Sequence, residues 1–321
     1  MNIILKDQFK MISIITCNYN LGHLLTETID SVLNQNIDKL ESIIIDANSI
    51  DDSKQVIKKL SMKDKRIKYL SENDDGHFYG VNKGLQLVKG DIIGILHCSD
   101  IYEKDIFHQV YDEFKKDPNL WILGGSHILK FRNKKQYSIN RKAKYLTVDD
   151  IVNYEFPAIE STFFRKEVFN EFGNFSTNRF LKRCHTNIFI NYFLGTIAKQ
   201  KKIKIINQNL SYHLEHDSIR PESARNTKTM SYYSNGRKLA SYHAIKKFNK
   251  ILSQNNKQIL YAQHIIYDLK YSLFVRNFKK FYKNLKKLFK MLRIVDFLKT
   301  IIKIVQSVFK SFQIQIAVKS K

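Results

Sequence analysis

SENDDGHFYGVNKGLQLVKGDIIGILHCSD, residues 71–100, holds a helix and a strand in the order that decides the fold. Residues Asn82 to Val88 have helical spacing and are closed by Gly90. Residues Asp91 to Leu96, DIIGIL, form a short apolar run of the kind a strand shows when both its faces are covered. The run ends at His97-Cys98-Ser99-Asp100. Upstream, Met11 to Thr16 (MISIIT) and Ser42 to Ile45 read as buried strands, and Ile67 to Leu70 as a short third one. Helical spacing fills the intervals at Leu24 to Gln35 and Gln55 to Leu60. Alternating strand and helix implies a mainly parallel sheet with right-handed crossovers. Ligands of such sheets collect at the carboxyl ends of the strands. Three strands end there in polar residues: Thr16, Asp46 and Asp100. One polar residue at a strand end is usually just a terminator; three on one edge point to a site.

Downstream the pattern is less regular. Trp121 to Gly125, Ser161 to Phe164 and Ile203 to Ile206 read as further strands, Phe189 to Ile197 as a buried helix, and the chain from about residue 238 as helical. The expected division is therefore an α/β domain over 1–237 and a helical, basic extension over 238–321. With 321 residues and 43% hydrophobic content the chain can bury a large core, which excludes a disordered protein. The net charge of +24 is uneven. Residues 1–100 carry 12 Lys/Arg against 14 Asp/Glu, residues 101–250 carry 27 against 14, and residues 251–321 carry 15 against 2. Such a tail suits an anionic surface. Cys17, Cys98 and Cys184 lack the spacing of a disulfide framework or a zinc ribbon, and reduced cytosolic thiols are expected. MNIILKDQFK is too soon interrupted to read as a signal peptide, and no long uncharged run suggests a spanning helix.

Four elements in register resemble family 2 glycosyltransferases. ISIITCNYN and DSVLNQ match the family's opening strand and helix. DANSIDDS matches D-G-x-S-x-D-x-T. SENDDGHFYGVNKG matches S-E-x-D-x-G-x-Y-D-A-M-N-K-G. GDIIGILHCSD matches G-D-x-x-x-x-L-N-S-D-D. The resemblance implies the GT-A (Rossmann-like) fold, a mainly parallel central sheet flanked by helices, here with a helical C-terminal extension. It implies inverting transfer of a sugar from a nucleotide-diphosphate donor, UDP-linked by expectation. It also assigns roles. Thr16 and Asp46 would contact base and ribose, with Tyr19 beside them in TCNYN. Asp51 would support their turn, and Asp74 would line the nucleotide pocket. Asn82 and Lys83 would lie beneath it. Asp100 would hold Mg²⁺ or Mn²⁺, since a hard cation on carboxylate oxygen neutralises the diphosphate leaving group.

The departures are as informative. The usual Asp-Asp of the last motif is Ser99-Asp100, and the Asp of Y-D-A-M-N is Tyr79. Either the cation site is weakened or Asp100 suffices, with Ser99 beside it. Inverting transfer needs a base for the acceptor hydroxyl. The family places an Asp in A-D-Y-D after G-x-F-D; here GNFS at 173–176 is followed by CHTN at 184–187, which puts His185 at the base position. FPAIESTFF, from Phe156, resembles the family's H-Q-S-T-F segment and puts Glu160 where Gln borders the acceptor pocket. Glu160 is the second candidate base, unless it only pairs with Arg165. His216, in YHLEHDSIR, belongs to a segment that would bring a cation-like contact to the diphosphate; His213, His216 and Asp217 lack the third nitrogen of a metal site.

From Phe278 the apolar residues recur at 278, 281, 285, 288, 292, 295, 298, 302, 305, 309 and 312. Arg276 to Lys310 contains eleven basic residues and one acid, Asp296. A cationic amphipathic helix suits an anionic membrane surface, although the stripe would also suit packing on protein. Nucleic acid is disfavoured, because the aromatics follow the apolar stripe. The expectation is a transferase on the cytoplasmic face of the membrane, acting on a glycan or lipid-linked acceptor, with homo-oligomerisation open. The alternative is a degenerate member that binds nucleotide sugar or a partner without turnover. A nucleotidyltransferase is disfavoured, because TCNYNLGHL lacks a Gly-rich, Arg-containing loop.

Overall fold

The computed structural model describes residues 11–130, 136–139, 142–177, 185–214, 239–274 and 277–291. Two compact units divide the chain. The first comprises Met1–Ile151, Glu155–Thr177 and Tyr192–Ile219; the second comprises Val152–Tyr154, Asn178–Asn191 and Arg220–Lys321. The expected boundary at 237/238 lies outside the described residues.

The first unit begins as the sequence predicts. Strands β1 (Ile12–Asn18), β2 (Leu40–Asp46), β3 (Ile67–Ser71) and β4 (Ile92–His97) are parallel, in the order β3-β2-β1-β4. Isoleucines fill β1, β2 and β4 because both faces are covered. Helices α1 (Gly22–Leu33), α2 (Ser53–Lys63) and α3 (His77–Leu87) connect them. Helix α3 starts five residues before the predicted Asn82, behind Gly76, whose φ of 125° few side chains tolerate. It lies close on the sheet through Gly80 and Gly84. A Cβ at Gly84 would stand 2.5 Å from Ile15.

The other half of the sheet is mixed. Strand β5 (Asp100–Tyr102) follows β4 at once, and α4 (Ile106–Lys116) leads to β6 (Leu120–Lys130). Short strands β7 (Gln136–Ile139) and β8 (Lys144–Tyr145) and helix α5 (Val148–Val152) come next. They precede β9 (Thr162–Arg165), α6 (Lys166–Phe172), α7 (His185–Ala198) and β10 (Lys202–Leu214). The sheet continues from β4 as β9-β6-β10-β5. Strand β9 runs antiparallel to both β4 and β6, and β5 antiparallel to β10. Among the described residues ten strands form this sheet. Phe107, Val110, Phe114 and Leu123 pack with Ile12, Ile14 and Leu96 on one face. Arg165 is buried and donates to the carbonyl oxygens of Leu120, Phe114 and Asp117, tying the end of α4 to the sheet.

In the second unit, residues 239–247 are helical, as are α9 (Gln254–Phe274) and α10 (Phe278–Met291), counting the 239–247 helix as α8. The predicted stripe beyond residue 291 lies outside the described residues. Among the described residues no helix is long and apolar enough to cross a membrane.

Candidate functional site

Strand order reverses between β1 and β4, which makes their carboxyl ends the expected ligand crevice. On the β1–β3 side of that crevice the loops are fastened to one another. Asp46 ends β2 fully buried. Its carboxylate accepts from Asn18 Nδ2 (2.8 Å), Ser49 N (3.0 Å), Ser49 Oγ (2.5 Å) and Ser71 Oγ (2.7 Å). A carboxylate so surrounded fixes three strand ends; contact with a ligand would require that network to open. Thr16 is likewise fully buried within β1, between Ile44 and Leu96, and its Oγ1 has no hydrogen-bond partner among the described residues. Neither residue meets the expectation of an accessible base or ribose contact as the strands stand.

Asp51 holds the turn between β2 and α2 against α1. One oxygen accepts from Gly22 N (3.0 Å) and the other from Ser53 N (3.0 Å), so a single carboxylate holds the first turns of α1 and α2. Burial opposes its charge, but these bonds hold its pKa below the ordinary aspartate value. Asp74 accepts from Gly76 N (2.8 Å) and opens α3. Lys83 pairs with Glu72 (2.8 Å) and donates to the Asn73 carbonyl (2.9 Å). Asn82 spends both ends of its amide on one residue: Nδ2 donates to Phe175 O and Oδ1 accepts from Phe175 N, each at 2.9 Å. It therefore clasps the loop after α6, and Phe175 packs on Phe78 beside it. Tyr19, by contrast, is 61% exposed at the end of β1 and available to a planar ligand.

The other side of the crevice carries acids paired with imidazoles. Ser99 is buried at φ 103°, a backbone strain of about 1–3 kcal/mol for a non-glycine residue, and its N–H is held by Thr28 Oγ1 at 3.1 Å. That kink turns the chain from β4 into β5. Asp100 then pairs across β5–β10 with His213, Oδ1 to Nδ1 at 2.7 Å. His97, at the end of β4, stacks on His77 with ring centroids 3.9 Å apart, and its Nε2 meets Glu160 Oε1 at 2.9 Å. Glu160 lies in a tight turn held by Ser161 Oγ to the Gly125 carbonyl and Thr162 Oγ1 to the Ala158 carbonyl. The expected alternative pairing of Glu160 with Arg165 is replaced: His97 takes the carboxylate, and Arg165 binds backbone oxygens. Burial would raise the Glu160 pKa, but the His97 hydrogen bond and charge hold it well below the usual carboxylate value. Burial likewise opposes the His97 charge, yet Glu160 raises its pKa above the ordinary histidine value. His127, bonded to Ser211 Oγ at 2.8 Å, is lowered, chiefly by burial. Burial also pushes the Cys17 and Cys98 thiols up, so neither is a nucleophile at neutral pH.

His185 opens α7, and its side chain lies outside the described residues, as do His216 and Cys184. Among the described residues no three metal-ligating side chains cluster. The Asp100–His213 pair nonetheless offers one oxygen and one nitrogen at one point, which fits a divalent cation whose remaining positions are taken by substrate phosphate and water. His97 and the Asp100–His213 pairing escaped the sequence reading. Their only linear signal was polar residues at the ends of two distant strands.

A doubly wound sheet with a polar, acid-bearing edge at its switch point is the architecture of a nucleotide-binding α/β protein. The profile of glycosyl transferase family 2 matches residues 13–189, more than half of the chain, and the chain belongs to that family. Similar proteins include the glycosyltransferase GlyG of Streptococcus pneumoniae, 30% identical over 35% of this chain and 38% of its own length. A chondroitin synthase of Escherichia coli is 31% identical over 34% of this chain and 16% of its own. The chain thus spans well under two thirds of these relatives. Among solved structures, S. aureus TarS 1-349 in complex with UDP-GlcNAc matches 94% of this chain and 91% of its own, with a TM-score of 0.63 at 15% identity. The mannosyltransferase PcManGT of Pyrobaculum calidifontis, in complex with GDP-Man and Mn²⁺, matches 97% and 84%, with a TM-score of 0.54 at 14% identity. These likenesses support the expected fold.

Proposed function

We propose that the chain transfers a sugar, with inversion, from a nucleotide-diphosphate donor, UDP-linked by preference, to a glycan or lipid-linked acceptor in polysaccharide synthesis. The observation that carries this reading is the Asp100–His213 pair, which follows directly on the carboxyl end of β4, a strand flanking the switch point of a family 2 sheet. UDP-GlcNAc in one structural relative and the name of a chondroitin synthase support the donor and product classes. In this reading Tyr19 and the turn at Asp74 that leads into α3 contact the nucleotide, Lys83 lies beneath it on α3, and Asp46, Asp51 and Asn82 position the segments that receive it. Asp100 and His213 would hold Mg²⁺ or Mn²⁺, which neutralises charge on the departing diphosphate when bound.

The acceptor oxygen attacks the anomeric carbon as the bond to the diphosphate breaks, and its proton must leave. The Glu160–His97 pair receives it: the imidazole beside Glu160 holds its carboxylate ionised, and the carboxylate in turn raises the imidazole above its ordinary pKa. His185 is the rival base. Calorimetric titration of UDP-, GDP- and TDP-sugars with and without Mn²⁺ tests donor class and cation dependence. Binding with no donor hydrolysis or transfer to any glycan would favour the degenerate, binding-only member. Absence of binding by any nucleotide sugar would end the transferase reading.

A further inference from the structure

Helix α10 divides the stripe that the sequence reads as one. Asn277 caps it: its Oδ1 accepts from Lys280 N at 3.0 Å, and its own N–H donates to the Ser272 carbonyl at 2.8 Å. The helix packs on α9 with Asn284 and Leu288 buried, and Lys280 reaches Asp268 on α9 at 3.7 Å. The packed side therefore uses only part of the apolar sequence. Phe278, Tyr282 and Phe289 are 56%, 61% and 55% exposed. At 3.6 residues per turn these three fall within about 40° of one another, on a strip separate from Leu288. Lys279, Lys283, Lys286 and Lys290 follow on the next side of the wheel. The helix contains six lysines and no acid.

A protein-facing strip would carry compensating acids or a less lopsided charge. An aromatic strip edged by lysines alone has the chemistry of a bilayer boundary, with rings at the level of the headgroups and ammonium groups on lipid phosphates. We infer that the outward aromatic strip of α10, flanked by its lysines, docks the protein on an anionic lipid surface. The helix lies along that surface, and the α9-facing side keeps its protein contacts. The inference does not require sugar transfer, so it stands or falls separately from the proposed activity.

The experiment uses the full chain and co-sedimentation with vesicles of phosphatidylcholine alone or of phosphatidylcholine with phosphatidylglycerol. The expected result is binding to the anionic vesicles that weakens steeply with salt, against little binding to the neutral ones. F278S/Y282S and, separately, K283E/K286E/K290E should each lower anionic-vesicle affinity by at least about tenfold. Because the replaced side chains are exposed, the thermal transition should stay in place, and a conserved transition certifies that each variant is folded. Equal binding to neutral vesicles, unchanged binding by both variants, or a dimer that the aromatic substitutions dissociate while vesicle binding persists would each overturn the inference.

Discussion

The two flanks of the crevice are built on different principles. On the β1–β3 flank, the Asn18 amide nitrogen, Asp46, Ser49, Asp51, Ser71 and Asn82 spend their polar atoms on one another and on backbone. That flank is a fixed shape. On the β4–β10 flank, His97, Asp100, Glu160 and His213 meet as oppositely charged or titratable pairs. That flank holds its charge in reserve. The difference separates positioning from chemistry: carboxylates locked by hydroxyl, amide and backbone donors resist change, whereas acids paired with imidazoles can exchange a proton or admit a cation.

The contrast is tested most severely at Asp100. Asp100→Ala should lower kcat by about 10³-fold or more in a donor-turnover assay, with the fold intact by circular dichroism. Unchanged turnover would remove the cation role. Next comes the pair on the same flank. His97→Asn and Glu160→Gln, which install the residues of the family pattern, should each lower kcat by about 10²-fold if the pair takes the acceptor proton.

The same pair should leave a mark on stability. The Glu160 pKa is lowered on folding, so its contribution is present above the unfolded value and is lost as pH falls through the folded one. The His97 pKa is raised, so its contribution is complete below the unfolded value and fades as pH rises through the folded one. The Tm advantage of the native chain over Glu160→Gln should therefore be greatest in mildly acidic solution and shrink towards alkaline pH. A difference that grows with pH would contradict the pairing.

Smaller effects belong to the fixed flank. Asn82→Ala should destabilise by about 1–3 kcal/mol in urea titration, by leaving the Phe175 peptide without its partner. Nucleotide affinity, measured well below the transition, should change little; a large loss of affinity at unchanged stability would return Asn82 to the ligand. Gly84→Ala should cost a comparable 1–3 kcal/mol, or about that, through the clash with Ile15.

What the linear sequence disclosed follows the same division. Strands β1, β2 and β4 were legible because isoleucine runs mark a strand covered on both faces. The Asp51 turn was legible because the residues it binds lie within two short segments. Asp46 was placed on the right edge, but its burial depends on Asn18 and Ser71, from two other strands. The Glu160–His97 and Asp100–His213 pairs join residues far apart in the chain, which no local spacing reveals. The stripe of α10 was read as one face because periodicity counts apolar positions without knowing which of them α9 covers.

Strand β5 carries a consequence for how the chain is completed. It is the last strand of the sheet path and pairs with β10, and Asp100 meets a partner 113 residues further on. During synthesis the acid emerges early and waits, hydrated, while β6, β9 and most of β10 are made. Its pairing with His213 completes that edge of the sheet. The acid–imidazole pair therefore exists only in a chain that has been made through β10.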